Sequence, residues 1–256
     1  MIFDRVICGV DASGESLEAV RQAARLLSGS GRLVLLGVIE LDVAVHAGWA
    51  ASTVVEQLRS EAESALERAH REIAHLRLAE TRLVEGPAPA RFQAEIEREK
   101  ATLLCLGTHG HRRVAGLLLG SLTTTLLHDA ACSVLIARPP HDPTVFPSAI
   151  VVGVDGSPQA DTALSVALSL RERFGASVRT VVASGGKKLD LDAVRRARPD
   201  AEVLPGKPVD VLAAASADAD LLLVGSHGHH GVLGLGSVSE RVAHQARCSV
   251  LVVRQP

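Results

Sequence analysis

Apolar positions along the chain follow two alternating patterns. Short runs such as VICGV at residues 6–10 and AIVVGV at residues 149–154 are continuous and rich in β-branched residues, which is typical of strands buried on both faces. Between such runs, apolar residues lie three or four positions apart, as on one face of a helix. After the first run they are Leu17, Val20, Ala24 and Leu27. This alternation predicts an α/β fold with a parallel sheet and helices on both of its faces.

The same order of segments occurs twice within the 256 residues. Three pairs of segments match: residues 6–16 with 150–160, 103–111 with 221–229, and 132–140 with 248–256. Matches in one order predict a tandem duplication. The separation between partners falls from 144 to 118 and then to 116 residues. The second copy therefore lacks 26 residues before its glycine-rich loop and two residues within it.

A proline-rich segment separates the two copies. Its four prolines lie among polar residues: Pro139, Pro140, Pro143 and Pro147. Because proline fixes φ and cannot donate a ladder hydrogen bond, this segment is typical of a linker. We therefore predict two domains, at residues 1–140 and 148–256.

Most of the missing residues fall on the second helix of the second copy. In the first copy, Thr53 and Glu56 have the spacing of a capping box, and a long helix is predicted to follow. Its apolar positions are Val54, Leu58, Ala65, Ala69 and Ile73. The second copy has only the short segment 189–198 at this place. In its first helix, Ser157 and Pro158 predict an N-cap followed by a proline.

Composition excludes several classes of function. The net charge of -2 and the 2% of aromatic residues, with no tyrosine, disfavour nucleic-acid binding. No apolar run approaches the roughly 18 residues of a membrane span, and the N-terminal segment does not resemble a signal peptide. The four cysteines form no CxxC pair, which favours buried thiols in a reducing cytoplasm.

Glycine, histidine and serine recur together after the fourth strand of each copy. The first glycine-rich loop is residues 107–121, and the second is residues 225–237. In doubly wound sheets, ligands bind beyond the carboxyl ends of the strands, where the strand order reverses. Asp11 and Gly107 end the first and fourth strands, so both are expected at one crevice.

The end of the first loop favours phosphate binding. Gly120 and Ser121 open a helix, whose N–H groups and dipole attract an anion, and the hydroxyls of Ser121 and Thr123 are candidate donors. Simpler explanations exist. The serines would then cap helices, as the capping-box spacing of Ser237 and Glu240 suggests. The glycines would serve tight turns, and Asp11 would cap a helix.

Spacing within the first loop resembles that of a known family. Gly107, Gly110, Gly120 and Ser121 follow the pattern G-x2-G-x9-G-S, and VDAS at residues 10–13 has a counterpart in VDGS at residues 154–157. Both features resemble the universal stress protein family in its tandem form, over essentially the whole chain. The resemblance implies a five-stranded doubly wound domain in each copy, with strand order 3-2-1-4-5.

This resemblance also implies a ligand, ATP or another adenine nucleotide, with or without Mg²⁺. The adenosine end would be held by Val10, Asp11 and Val38. The ribose and phosphates would be held by Gly107, His109, Gly110, Gly120, Ser121, Leu122 and Thr123. Single domains of the family pair through their last strands, which implies an internal pseudo-twofold pair here. Further dimerisation of the whole chain is left open.

In the second copy the corresponding positions are Asp155, Gly225, Gly228, Gly236 and Ser237. Their spacing, G-x2-G-x7-G-S, is two residues shorter, about 7 Å of extended chain. That shortening must reshape the loop around any phosphate. Whether the second copy binds a nucleotide is therefore left open.

Two other chemistries were weighed. The loop histidines His109, His111, His227, His229 and His230 could ligate a metal, but no cysteine or carboxylate at short spacing completes a set, so no metal site is predicted. Catalytic motifs such as GxSxG and HExxH are absent from the sequence. We expect a nucleotide-binding regulatory protein of the stress response, not an enzyme beyond slow ATP hydrolysis. An interaction module with empty sites and an ATP-dependent enzyme are the alternatives.

Overall fold

The computed structural model describes residues 3–41, 51–76, 79–110, 119–185, 189–226 and 235–254. The chain divides into two compact units, Met1–Leu126 and Leu127–Pro256. This division falls inside a helix, so the strand Ser133–Ala137, which the repeat assigns to the first copy, is counted with the second unit.

The first unit contains four parallel strands. Its elements are β1 (Arg5–Gly9), α1 (Gly14–Leu26), β2 (Arg32–Ile39), α2 (Ala51–Glu72), β3 (Ala79–Glu85), α3 (Ala88–Glu99), β4 (Leu103–Gly107) and the start of α4 (Ser121–Asp129). Strand β1 pairs with both β2 and β4, and β3 pairs with the outer side of β2. The chain leaves β1 towards β2 and returns to the other side of β1 at β4. The strand order therefore reverses between β1 and β4, where ligands of such sheets bind.

The second unit repeats this plan. Its elements are β5 (Ser133–Ala137), β6 (Ala149–Gly153), α5 (Pro158–Phe174), β7 (Ser177–Ala183), α6 (Leu191–Ala197), β8 (Glu202–Leu204), α7 (Pro208–Ala215), β9 (Leu221–Gly225), α8 (Ser237–Gln245) and β10 (Ser249–Val253). Strand β6 pairs in parallel with β7 and β9, β8 lies outside β7, and β10 lies outside β9. The predicted α/β fold with a mostly parallel sheet is confirmed.

Burial explains why the strands are continuous apolar runs. Every residue of β5, β9 and β10 is buried, as expected for strands covered by helices on both faces. Burying a valine, leucine or isoleucine side chain contributes about 1.5–3 kcal/mol each. The four cysteines are likewise buried and not disulfide-bonded, which confirms the prediction of buried thiols. Burial raises the pKa of the Cys248 thiol to about 12.

One prediction about a helix start is wrong, one alternative explanation is excluded, and another prediction is confirmed. Helix α2 begins at Ala51, so Thr53 lies inside the first turn and does not cap it. Helix α8 has Gly236 as its N-cap, with no side-chain cap bond, so Ser237 is its first helical residue. By contrast, Ser157 caps α5 and Pro158 follows as its first residue.

Strand β5 lies antiparallel to β10, with Leu135 opposite Leu251. An arginine follows each strand and reaches the other copy's last helix. Arg254 donates to the carbonyl oxygens of Leu127 and Cys132, at 2.5 and 3.2 Å. Since these carbonyls lie at or just beyond the end of α4, the guanidinium satisfies groups that the helix cannot pair itself.

Arg138 does the same for α8, donating to the carbonyl oxygens of Ala243 and Cys248 at 2.6 and 3.2 Å. Burial lowers the pKa of Arg138 to about 10. It therefore stays protonated at neutral pH. The two arginines form a reciprocal pair across β5 and β10.

Candidate functional site

The turn after β1 holds Asp11 in one orientation. Its Oδ1 accepts hydrogen bonds from the backbone N–H of Ser13 at 2.9 Å and from the Ser13 hydroxyl at 2.5 Å. Ser13 is also the N-cap of α1, since its Oγ accepts from the N–H of Ser16 at 3.1 Å. One serine therefore starts the helix and fixes the carboxylate beside it, as short polar side chains do at helix starts.

Gly107 ends β4 against the start of α1. A Cβ atom at this position would lie 2.8 Å from the carbonyl carbon of Glu15 and 3.0 Å from its Cβ. Because backbone atoms cannot move aside as a side chain can, only glycine fits here without a shift of the helix. This close contact brings the start of α1 and the end of β4 together.

Gly110 lies next to the Asp11 carboxylate. A Cβ atom added to Gly110 would be 2.6 Å from Asp11 Oδ2. The first glycine-rich loop and the turn after β1 therefore meet, as predicted from the strand order. His109 lies half-buried between Gly107 and Gly110.

Backbone and side-chain bonds set the start of α4 beside the end of β4. The N–H of Gly120 donates to the carbonyl oxygen of Thr108 at 2.8 Å. The Thr123 hydroxyl donates to the carbonyl oxygen of Gly107 at 3.0 Å. The Thr123 hydroxyl is therefore already bonded within the protein. Of the two predicted hydroxyl donors for phosphate, Ser121 is the exposed one, at the first position of α4.

The space at the start of α4 suits an anion. A Cβ atom on Gly120 would be in ordinary van der Waals contact with His109 and Thr108, at 3.6 and 3.7 Å, so the start of α4 lies against the described part of the first glycine-rich loop. The described first turn of α4 has no acidic residue. Leu122 is half-buried in that turn. A helix start with these properties attracts negative charge.

Val10 and Val38 lie at the carboxyl ends of β1 and β2. The N–H of Val10 donates to the carbonyl oxygen of Leu36 at 2.9 Å, which extends the pairing of the two strands. Val10 is buried, whereas Val38 is half-buried. Both residues follow the last pair of the register between the two strands, Gly9 with Leu36, as Asp11 does.

The second copy repeats the hydrogen bonds of the first. Asp155 Oδ1 accepts from the N–H and hydroxyl of Ser157 at 3.0 and 2.6 Å. Gly225 meets α5 as Gly107 meets α1, since a Cβ atom there would be 2.8 Å from the carbonyl carbon of Gln159. The N–H of Gly236 donates to the carbonyl oxygen of Ser226 at 2.7 Å. The predicted residue Gly228 lies outside the described residues.

Comparison with known proteins supports one family. The profile of the Universal stress protein family matches residues 2–138 and 187–254. The chain belongs to the universal stress protein family. The resemblance predicted from the sequence is thereby confirmed at the level of the family.

Relatives of this universal stress protein match it over different lengths. A universal stress protein of Mycolicibacterium smegmatis is 31% identical, over 97% of this chain and 96% of that protein. A universal stress protein of Mycobacterium tuberculosis is 33% identical over 65% of this chain, and the match spans only 66% of that protein. The crystal structure of a universal stress protein from Archaeoglobus fulgidus superposes with a TM-score of 0.69 at 22% identity, covering 98% of this chain and 96% of that one. The structural likeness shows a common fold.

Several contacts in the universal stress protein site were not predicted. Ser13, Thr108 and Ser239 act through hydrogen bonds to the turns, and only Ser13 had a signal, its place in the repeated VDxS segment. Ser239 donates to the carbonyl oxygen of Gly225 at 2.7 Å, as Thr123 does in the first copy. Arg68, from α2, also reaches the turn after β1, donating to the carbonyl oxygen of Ala12 at 3.4 Å.

Two observations limit the other functions that the described residues could perform. No helix there is both long enough and apolar enough to cross a membrane. Within the described ranges, no group of three or more histidine, cysteine or acidic side chains is arranged to hold a metal ion. A surface groove of about 610 Å³ lies between α2 and β3, and its described lining comes from these two elements. Its lining carries charges of both signs, including Arg59, Glu63 and Glu67.

Proposed function

We propose that this chain binds an adenine nucleotide, with ATP as the preferred ligand, at its first glycine-rich loop. Its role would be regulatory, in the stress response, and not that of an enzyme. The observation that carries this proposal is the closeness of Gly110 to Asp11. A Cβ atom added to Gly110 would lie 2.6 Å from Asp11 Oδ2. This contact supports a single crevice formed by a fixed carboxylate and a glycine-rich backbone.

The residues have distinct roles in this proposal. Val10 and Val38 would contact the adenine ring. Asp11 and His109 would bond the ribose, since a carboxylate fixed by Ser13 accepts well from hydroxyl groups. Gly107 would contribute by holding α1 against β4.

Phosphates would lie at the start of α4. The backbone N–H groups of Gly110, Ser121, Leu122 and Thr123 are the candidate donors, together with the Ser121 hydroxyl, whereas the Gly120 N–H is already bonded to the carbonyl oxygen of Thr108. Helix starts of this kind bind phosphate through N–H groups and the helix dipole. Mg²⁺ would accompany the phosphates and not be held by a protein cluster of its own.

The second copy would use Asp155, Gly225, Gly228, Gly236 and Ser237 if it bound a ligand at all. We propose that it is the weaker site, because its glycine-rich loop is two residues shorter. We also propose that the two copies, each with strand order 3-2-1-4-5, pair internally as single domains of the family do. The antiparallel pairing of β5 with β10 supports this.

We place the protein in the cytoplasm, where its four buried cysteines, which form no disulfide, would stay reduced. Neither a nucleic acid nor a membrane is a proposed partner. The net charge of -2 supports this. A homodimer of the whole chain is compatible with the proposal but is not required by it.

The test is calorimetric titration of Mg·ATP into protein stripped of co-purified nucleotide. Gly120→Glu should abolish binding, weakening it at least about 100-fold, because a carboxylate would lie where the phosphates bind. Gly236→Glu should leave the main binding event unchanged. Gly29→Glu is the matched control, since it adds the same charge in a turn where a Cβ atom meets nothing within 4 Å.

A folded wild-type protein that binds no adenine nucleotide would refute the proposal. Equal binding by wild type and Gly120→Glu would move the site elsewhere in the chain. ADP and AMP, titrated in the same way, would test the preference for ATP. Turnover measured in parallel, with product below one per hour per protein, would agree with a regulatory role.

A further inference from the structure

The starts of α4 and α8 are built by equivalent hydrogen bonds. Gly236 donates to Ser226 as Gly120 donates to Thr108, at 2.7 and 2.8 Å. The Ser239 hydroxyl donates to Gly225 as the Thr123 hydroxyl donates to Gly107. Both helices therefore present their first turns in the same local setting, at the end of the strand before them.

The first turns of α4 and α8 differ in charge at their fourth residue. The fourth residue of α4 is Thr124, whose hydroxyl donates back to the carbonyl oxygen of Gly120 at 3.0 Å. The fourth residue of α8 is Glu240. The first turn of α8 thus carries a carboxylate that the described first turn of α4 lacks.

A neighbouring residue holds the Glu240 carboxylate near this turn. His128 Nε2 lies 3.2 Å from Glu240 Oε1, and the two side chains are 38% and 36% exposed. Glu240 belongs to the first turn of α8, so its negative charge lies near the start of the helix while its carboxylate contacts His128. There it already interacts favourably with the positive end of the helix dipole.

A nucleotide phosphate at the same turn would meet that charge. Like charges repel, and the repulsion acts over several ångströms at a partly exposed site. Each phosphate adds at least one negative charge, so a triphosphate would be affected most. The shorter loop alone does not predict this dependence on charge.

We propose that Glu240 determines nucleotide specificity in the second copy, by excluding phosphates from the second glycine-rich loop. The chain would therefore bind one nucleotide and not two. This inference rests on the proposed function. His128 acts as a positioning residue, since its imidazole contacts the Glu240 carboxylate.

The experiment uses the full chain with Gly120→Glu, so that the first site is silent. Glu240→Thr introduces the residue of the first copy, and Glu240→Gln removes only the charge while keeping a hydrogen-bonding group for His128. Calorimetry with Mg·ATP should then detect binding at least about tenfold tighter than for Gly120→Glu alone. In an otherwise wild-type chain, each substitution should raise the stoichiometry from one towards two.

Glu202→Gln is the matched control. Glu202 is an exposed carboxylate paired with Arg179 at 2.8 Å, and it begins β8, which is separated by β6 and β7 from the β9 strand that precedes the loop. Its loss changes the net charge equally and should produce no second site. Thermal melting of every variant establishes whether it is folded. If Glu240→Thr does not fold, the binding result for Glu240→Gln decides the test.

The outcomes separate this inference from the proposed function. No tighter binding in the folded Glu240 variants than in Gly120→Glu alone would overturn the inference, while binding of one nucleotide by wild type would still support the proposed function. A wild-type stoichiometry of two would also overturn it. If wild type binds none, the proposed function fails, and the double variants still decide the role of Glu240.

Discussion

The two copies share the same contacts around the first and fourth strands but differ in the helix that follows the second strand. In each, an aspartate after the first strand accepts from a serine two residues later, and a glycine ends the fourth strand against the first helix. The helix after the second strand, however, has 22 residues in the first copy and seven in the second. These shared contacts lie within the turn after the first strand and between the fourth strand and the first helix. The second helix adds one bond to that turn in the first copy, from Arg68 to the carbonyl oxygen of Ala12. The shared contacts are therefore present in both copies although the second helix differs in length.

The largest expected effect is on stability, at the two glycines that end the fourth strands against the first helices. Gly107→Ala and Gly225→Ala should each lower the free energy of unfolding by about 1–3 kcal/mol, the usual cost of overpacking. Each new Cβ atom would lie 2.8 Å from the backbone of the first helix of its copy. Denaturant unfolding measures this, with Gly29→Ala as a control in open space. A loss confined to one copy would contradict the shared role of these two glycines.

A smaller effect is expected on ligand binding by the first copy. Gly110→Ala should weaken Mg·ATP binding about tenfold, or about 1.4 kcal/mol, because its Cβ atom would displace the Asp11 carboxylate. Calorimetry measures the affinity. Gly14→Ala, at a position where a Cβ atom meets nothing within 4 Å, should bind normally. Unchanged affinity in Gly110→Ala would show that Asp11 does not contact the ligand.

The serine caps should have equal structural effects but unequal functional ones. Ser13→Ala and Ser157→Ala should each destabilise the protein by about 1 kcal/mol, as for other lost N-caps. Only Ser13→Ala should also weaken ATP binding, since Ser13 fixes the carboxylate of the first site.

Ser165→Ala serves as the control for the caps, because the Ser165 hydroxyl only bonds back to its own helix. It should leave both stability and affinity close to those of the wild type. Equal weakening of ATP binding by the two cap variants would instead indicate that both copies bind.

The smallest effect should come from a difference at the amino ends of the strands. Asp220 accepts from the N–H groups of Ser148 and Ala149 at 3.0 and 3.1 Å, whereas the corresponding residue of the first copy is Thr102. Although burial alone would raise the pKa of Asp220, the bonds from Ser148, Ala149 and His141 hold it below its ordinary value.

Because this pKa is lower in the folded state, Asp220 stabilises the fold above the pKa of the unfolded chain, about 4. That stabilisation is lost as the pH falls through the folded pKa. Melting curves between pH 7 and pH 3 should therefore show wild type and Asp220→Asn converging at the acid end. A constant difference across this range would contradict the prediction.

Sequence patterns predicted the fold well because burial and periodicity are local properties. Continuous apolar strands and the internal repeat were sufficient for an α/β fold with a mostly parallel sheet. The start of α2 was missed, since Thr53 has a capping spacing but the helix already begins at Ala51. Local spacing cannot show which of several candidate residues begins a helix.

The site was predictable only in part. Asp11, Gly107 and Gly110 were found from strand ends and glycine spacing. The reason for Gly107 was not, because its contact with Glu15 joins residues more than 90 positions apart. Likewise, the inward donation by Thr123 and the pairing of Glu240 with His128 depend on neighbours that only the folded chain supplies.

The reciprocal arginines have a consequence for how the duplicated gene can change. Arg254 satisfies the end of α4, and Arg138 satisfies the end of α8. Each repeat therefore supplies a part that the other needs, and a harmful substitution in one final strand would damage both repeats. The segments CSVLIAR and CSVLVVR have stayed nearly alike, while the helix and loop that serve only one repeat have diverged. This mutual dependence is expected to limit substitutions in the two final strands.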